Sequence, residues 1–211
     1  MITLPRPIVA MVTSGHGDPA ATLDAIHAAA RAGLTLIQVR EPRLDDRTLL
    51  AFVRSAIDAA AGTGARVVVN ERADIARAAG AAGVHLREGS MAASRVRAIV
   101  PQAFLVGRSV HSVESAREAQ RDGACDYLVF GTVYRSDSKP AGHPVAGLDA
   151  LREVCAAVTL PVLAIGGITL ERVTEVAAAG AAGIAAIGLF LDARSAAKSV
   201  TRARRAFDTH S

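Results

Sequence analysis

The feature that most constrains this chain is one alternation, repeated from end to end. Short runs rich in β-branched residues cover 8–12, 34–40, 66–70, 83–86, 104–110, 126–131, 161–167 and 183–188. Ala-rich amphipathic stretches lie between them, near 19–32, 46–62, 71–80, 91–99, 112–122, 148–158, 170–180 and 195–208. Unbroken apolar runs such as Val162-Leu163-Ala164-Ile165 suit strands buried on both faces, as a parallel sheet requires. Gly33, Gly80, Gly123 and Gly180 each close a helical stretch just before a strand, where a left-handed cap costs glycine nothing. Ala79-Gly80-Ala81-Ala82-Gly83-Val84 returns almost unchanged as Ala179-Gly180-Ala181-Ala182-Gly183-Ile184. Eight strands alternating with eight helices predict an α/β fold, a single compact (β/α)8 TIM barrel filling residues 1–211 as one domain. An open doubly wound sheet competes less well, because the first strand leads into Ser14-Gly15-His16-Gly17-Asp18 and not a GxGxxG turn.

Composition narrows the function class. Hydrophobic residues are 51% and charged residues 21% of the chain, the balance of a packed domain rather than a disordered one. Aromatics are 3% with no Trp, which leaves no base-stacking surface. The net charge of +4 is too mild to argue for nucleic acid. No apolar run is long enough for a signal or a membrane span, so a cytoplasmic chain is expected. Cys125 and Cys155 fall in no CxxC or Cys/His spacing and read as small core residues. The basic run Arg202, Arg204, Arg205 reads as a solvated helix face.

In such a barrel the chemistry sits at the C-terminal ends of the strands. Gln38 and Arg40 share one side of the second strand by period two, an amide and a guanidinium placed to grip an anion. The third strand ends at Asn70-Glu71, the fourth carries His85, and the fifth carries Ser109 and His111. A long polar loop follows the sixth strand, from Tyr134 to Gly147, and suits a ligand-closing role. It contains Ser136, Ser138 and Lys139, the last being one of only two lysines in the chain. A compact ammonium there suits a phosphate. Gly166 and Gly167 at the end of the seventh strand, with Ile187 and Gly188 at the end of the eighth, stand where these barrels bind phosphate through backbone N–H groups. A small phosphorylated molecule is the expected ligand.

Taken in order, these residues resemble the thiamin phosphate synthase and TenI-type thiazole tautomerase family. The resemblance is carried by Ile37-Gln38-Val39-Arg40-Glu41, Val69-Asn70-Glu71, Gly83-Val84-His85-Leu86, Gly107-Arg108-Ser109-Val110-His111-Ser112, Phe130-Gly131-Thr132-Val133-Tyr134 with Ser136-Asp137-Ser138-Lys139, and Ala164-Ile165-Gly166-Gly167-Ile168. It implies one of two reactions. The synthase joins a pyrimidine diphosphate to a thiazole phosphate and expels diphosphate with the help of Mg²⁺ and cationic groups. The tautomerase moves one proton on a thiazole-carboxylate phosphate and uses no cofactor.

The chain departs from both patterns. Where the synthase motif has a lysine, this chain has Pro42. Its metal-supporting Asn-Asp pair is Asn70-Glu71, and its second metal aspartate is Ser90, with Glu88 nearby as a substitute. Where the tautomerase carries an acid–base histidine, this chain has Thr132. The losses on the synthase side place the tautomerase first, with His111, His85 and Lys139 as catalytic residues. Gln38, Arg40, Asn70, Ser109, Ser136, Ser138, Lys139, Gly166, Gly167, Ile187 and Gly188 are the expected substrate and phosphate ligands. Glu71 would hold Mg²⁺ only in the synthase reading. A non-catalytic barrel binding a thiazole or thiamin phosphate is the third reading. The expected partner is a small phosphorylated thiazole, without nucleic acid or membrane, and self-association into a homo-oligomer stays open.

Overall fold

The structure is a computed structural model and describes residues 2–136, 142 and 144–208. The strands are β1 (Ile8–Val12), β2 (Leu36–Val39), β3 (Arg66–Asn70), β4 (Gly83–Leu86), β5 (Leu105–Val110), β6 (Tyr127–Phe130), β7 (Val162–Ile165) and β8 (Gly183–Ala186). The helices are α1 (Pro19–Arg31), α2 (Asp46–Ala59), α3 (Ala73–Ala79), α4 (Ala93–Arg97), α5 (Val113–Asp122), α6 (Gly147–Ala157), α7 (Val173–Ala178) and α8 (Ala193–Asp208). Every strand pairs in parallel with its neighbours in sequence, and β8 returns to β1 through Ile8↔Gly183, closing the barrel. This is the (β/α)8 TIM barrel that the alternation predicts.

The period-two pattern separates two cores. Val9, Met11, Ile37, Val39, Val67, Val69, Val84 and Leu128 point outward into the layer beneath the helices. Ile8, Ala10, Val12, Leu36, Val68, Leu105, Tyr127 and Leu163 fill the barrel interior. Because side chains alternate faces strictly, a one-residue slip in any strand would exchange the two sets. Local signals start the helices: Asp18 accepts from Ala21 N at 3.0 Å ahead of Pro19, and Asp45 accepts from Thr48 N at 3.0 Å. Gly33, Gly80, Gly123 and Gly180 take left-handed φ values of 94°, 76°, 72° and 91°, as the repeat requires.

The N-terminal pole is held by one buried carboxylate. Asp126 has a fully buried side chain and accepts from Ile2 N at 2.7 Å, Val106 N at 2.8 Å and Arg97 Nη2 at 2.8 Å. Arg97 also donates to the carbonyls of Phe104 and Ala124. Cys125 is buried and Cys155 half-buried, and burial pushes both thiols up to about 11, which keeps them protonated and inert. Among the described residues, no helix is long and apolar enough to cross a membrane.

Several elements are shorter than the hydrophobic pattern suggests. The second strand stops at Val39, leaving Arg40 outside the ladder, and the seventh stops at Ile165, leaving Gly166 and Gly167 in the loop. The third helix begins at Ala73, not at residue 71, because Glu71 sits at φ 65°. That left-handed value cannot belong to a right-handed helix. These trims lie at the C-terminal mouth, where polar residues leave the sheet.

Candidate active site

At the mouth, the inward faces of the strands carry polar groups that bond to one another. Gln38 is buried at the top of β2, because Ile37 and Val39 take the outward positions. Its Nε2 donates to Asn70 Oδ1 on β3 at 3.0 Å. Arg40, the first residue past β2, donates its backbone N–H to Thr13 Oγ1 at 2.9 Å, and among the described residues no acceptor meets its guanidinium.

His85 lies on the inward face of β4 and is 2% exposed. Its Nε2 is 2.9 Å from Ser109 Oγ on β5, and its Nδ1 is 3.2 Å from the hydroxyl of Tyr127 on β6. The two rings stack at 5.7 Å between centroids. Gly107 makes this possible, since a Cβ there would overlap the Tyr127 ring. Burial pulls the imidazole down to about 4, against a small opposing pull from Glu71, so His85 is neutral at pH 7. Burial raises the Tyr127 phenol above its ordinary range. Both ring nitrogens of His85 are engaged, so it reaches the mouth through Ser109.

Glu71, the first residue past β3, is enclosed by donors. Oε1 accepts from Arg87 N at 2.7 Å and Ser90 Oγ lies 2.6 Å away; Oε2 accepts from Arg87 Nε at 2.9 Å with Ser90 Oγ at 2.7 Å. Burial favours the neutral acid, but the Ser90 hydroxyl and the bonds from Arg87 outweigh it and hold the carboxyl below its usual range. Next to this cluster, His111 Nδ1 is 3.0 Å from Glu88 Oε2, and His111 N donates to Glu88 Oε1 at 3.1 Å. The His111 side chain is 58% exposed, and among the described residues no acceptor meets its Nε2. Burial again raises the Glu88 carboxyl, and Ser115 and His111 bring it below the usual range.

The glycines play two different roles. Gly166 and Gly167 have φ values of 99° and 61°, and a Cβ on either would run into residues 132–135. Thr132 N-terminal to that turn is buried, with its methyl against Gly166, so the chain folds tightly over this edge. The carbonyl of Gly167 accepts from Arg172 Nη1 at 2.7 Å, and the same guanidinium lies 4.5 Å over the Tyr134 ring. A Cβ at Gly188 would meet nothing within 4 Å. Gly188 therefore faces open space at the mouth, beside Ile187. Among the described residues, no acceptor meets the N–H of Gly167 or Gly188. Free N–H groups beside bare glycines after β7 and β8 suit an anion.

The structure thus joins Gln38 to Asn70 and His85 to Ser109, leaves Arg40 and His111 at the rim, and sets Gly167 and Gly188 across the mouth from β3 and β4. Ser136 is half-buried past β6, while Ser138 and Lys139 lie outside the described residues. Sequence reasoning missed Tyr127 and Arg87. Tyr127 was findable as the inward partner of Val129 by period two, beside a side-chain-free Gly107. Arg87 carried no signal except its place one residue past a strand.

A protein-family model described as thiamine monophosphate synthase matches residues 9–190. Thiamine-phosphate synthase of Methanoculleus marisnigri is 42% identical over 180 residues, covering 84% of this chain and 85% of that protein. Thiamine-phosphate synthase of Roseiflexus castenholzii is 38% identical over 189 residues, covering 89% and 82%. Among solved structures, thiamine phosphate pyrophosphorylase from Pyrococcus furiosus superposes with a TM-score of 0.81 at 29% identity, covering 96% of each chain.

Proposed function

The chain belongs to the thiamine monophosphate synthase family, and on that premise we propose that it is a thiamin phosphate synthase. It joins hydroxymethylpyrimidine diphosphate to a thiazole phosphate and releases diphosphate. The observation that carries this reading is the 42% identity to a thiamine-phosphate synthase over 84% of the chain. It reverses the order in which the sequence alone placed the two reactions.

In this reaction the bond from the pyrimidine methylene to the diphosphate oxygen breaks, and the thiazole nitrogen forms a bond to that carbon with its lone pair. Diphosphate carries away the electron pair of the broken bond, and no proton is transferred. The protein must therefore hold two anions apart and stabilise the charge that develops on one. Gly167, Ile187 and Gly188 are the seat for the thiazole phosphate. Gln38 and Asn70 orient the pyrimidine edge, Arg40 faces the leaving diphosphate, and Ser109 takes a phosphate oxygen. His85 is a positioning residue that fixes Ser109 from behind. Lys139, Ser136 and Ser138 are carried over from the resemblance as phosphate ligands.

Mg²⁺, which the resemblance implies for a synthase, does not fit these residues. Ser90 Oγ sits 2.6 and 2.7 Å from the two oxygens of Glu71, in the seat of a chelated cation, and Arg87 donates one N–H to each oxygen. Asn70 Oδ1 already accepts from Gln38 Nε2, which takes one of its two lone pairs. Mg²⁺ demands near-ideal octahedral oxygen ligands and does not accept such a set.

The test supplies both substrates to the full-length protein and follows thiamin phosphate by its fluorescent oxidation product. Catalytic formation supports the synthase, and absence of product with and without Mg²⁺ removes it. A second reading, the tautomerase, is favoured by one feature, the Glu88–His111 pair. A carboxylate 3.0 Å from Nδ1 fixes the orientation of the ring and leaves the exposed Nε2 as the nitrogen open to a ligand, the arrangement that a proton-transferring imidazole uses. Isomerisation of a thiazole-carboxylate phosphate in EDTA that is lost in His111→Asn would support it.

A further inference from the structure

Three consecutive strands are each followed directly by a charged residue. Arg40, Glu71 and Arg87 are each the first residue past β2, β3 and β4, so two cations flank one anion. Arg87 is fixed both at its root and at its Nε. Its backbone N–H and its Nε bond to the same carboxylate, at 2.7 and 2.9 Å, while its side chain stays 74% exposed. Among the described residues, no acceptor meets its Nη1 or Nη2. A guanidinium anchored through Nε presents its outer edge as a two-pronged donor, the geometry that matches phosphate oxygens. Both oxygens of Glu71 are engaged, and a divalent cation chelated between them would displace the Ser90 hydroxyl and lie against a guanidinium.

We infer that Arg87, pinned by Glu71 and Ser90, binds the diphosphate group of the substrate directly and without a divalent cation. The ligand class rests on the synthase reading above. The guanidinium supplies the positive charge that a metal would otherwise bring to the leaving group. Glu71 then acts as an anchor for Arg87 rather than as a metal ligand.

The experiment is calorimetric titration of inorganic diphosphate into the full-length protein, first in EDTA and then in Mg²⁺. Binding in EDTA is expected, changing by less than about threefold when Mg²⁺ replaces EDTA. Arg87→Ala should weaken it by about tenfold or more, and Arg87→Lys should fall between, having the charge without the fork. Because Arg87 is exposed, neither change threatens the fold. Electron paramagnetic resonance of added Mn²⁺ supplies the second readout. Ser90→Asp, which adds a carboxylate beside Glu71, should bind Mn²⁺ more tightly than the wild type. Absence of binding in EDTA, wild-type affinity in Arg87→Ala, or Mn²⁺ bound equally by wild type and Ser90→Asp overturns the inference. Turnover assays on the same samples separate the two claims. Synthase turnover that strictly requires Mg²⁺ keeps the synthase and removes the arginine clamp. Arg87-dependent diphosphate binding in EDTA without thiamin phosphate formation does the reverse.

Discussion

Titrating the folded protein from pH 7 to pH 5 sets the buried imidazole of His85 against its surroundings. Its folded value is about 4, against an ordinary value of 6.5, because burial disfavours the charged ring. Between these two values the unfolded chain binds more protons than the folded one, so stability rises with pH across the window. The contribution is whole above pH 6.5 and is lost as pH falls towards 4. Fully lost, it amounts to about 3 kcal/mol, of which about 2 kcal/mol goes between pH 7 and pH 5. Glu71 and Glu88 are held below their usual range, so their own losses begin at more acid pH. The assay is urea unfolding at pH 7, 6 and 5, for wild type and for His85→Gln. Glutamine keeps a polar group near Ser109 and Tyr127 but cannot take up the proton. The wild type should lose about 2 kcal/mol more than His85→Gln between pH 7 and pH 5. Parallel pH profiles for the two proteins would refute the argument that burial holds His85 neutral.

Three further outcomes follow from the geometry. Gly166→Ala should cost roughly 2 kcal/mol or more in urea unfolding, since φ is 99° and the new methyl overlaps Thr132. Gly188→Ala meets open space, so its stability should stay within about 0.5 kcal/mol of wild type; its affinity for a thiazole phosphate, read by calorimetry, should fall. Arg97→Ala strands the buried carboxylate of Asp126 and should cost about 3 kcal/mol by urea unfolding, with the catalytic mouth unaffected.

The alternation of strand and helix, the glycine caps and the two-sided apolar runs are local properties, and they sufficed for the barrel. Period two also told that Gln38 would face away from Ile37 and Val39, because successive side chains on a strand point to opposite faces whatever lies beside them. The same rule says nothing about which residue of the next strand stands opposite. That depends on register, here Asn70↔His85 and His85↔Gly107, which only the closed barrel sets. Register is what brings Tyr127 behind His85 across the gap left by Gly107, and burial there is what removes its charge. It also places Ser90 and Arg87 around Glu71, a residue that the sequence offered as a metal ligand and the fold engages with protein donors. Gly166 and Gly188 look alike in the sequence; packing against Thr132 makes the first a necessity of the chain, and open space surrounds the second. Composition and period determined the fold and the face of each residue. Distances across neighbouring strands decided its partner, its charge and hence its chemistry.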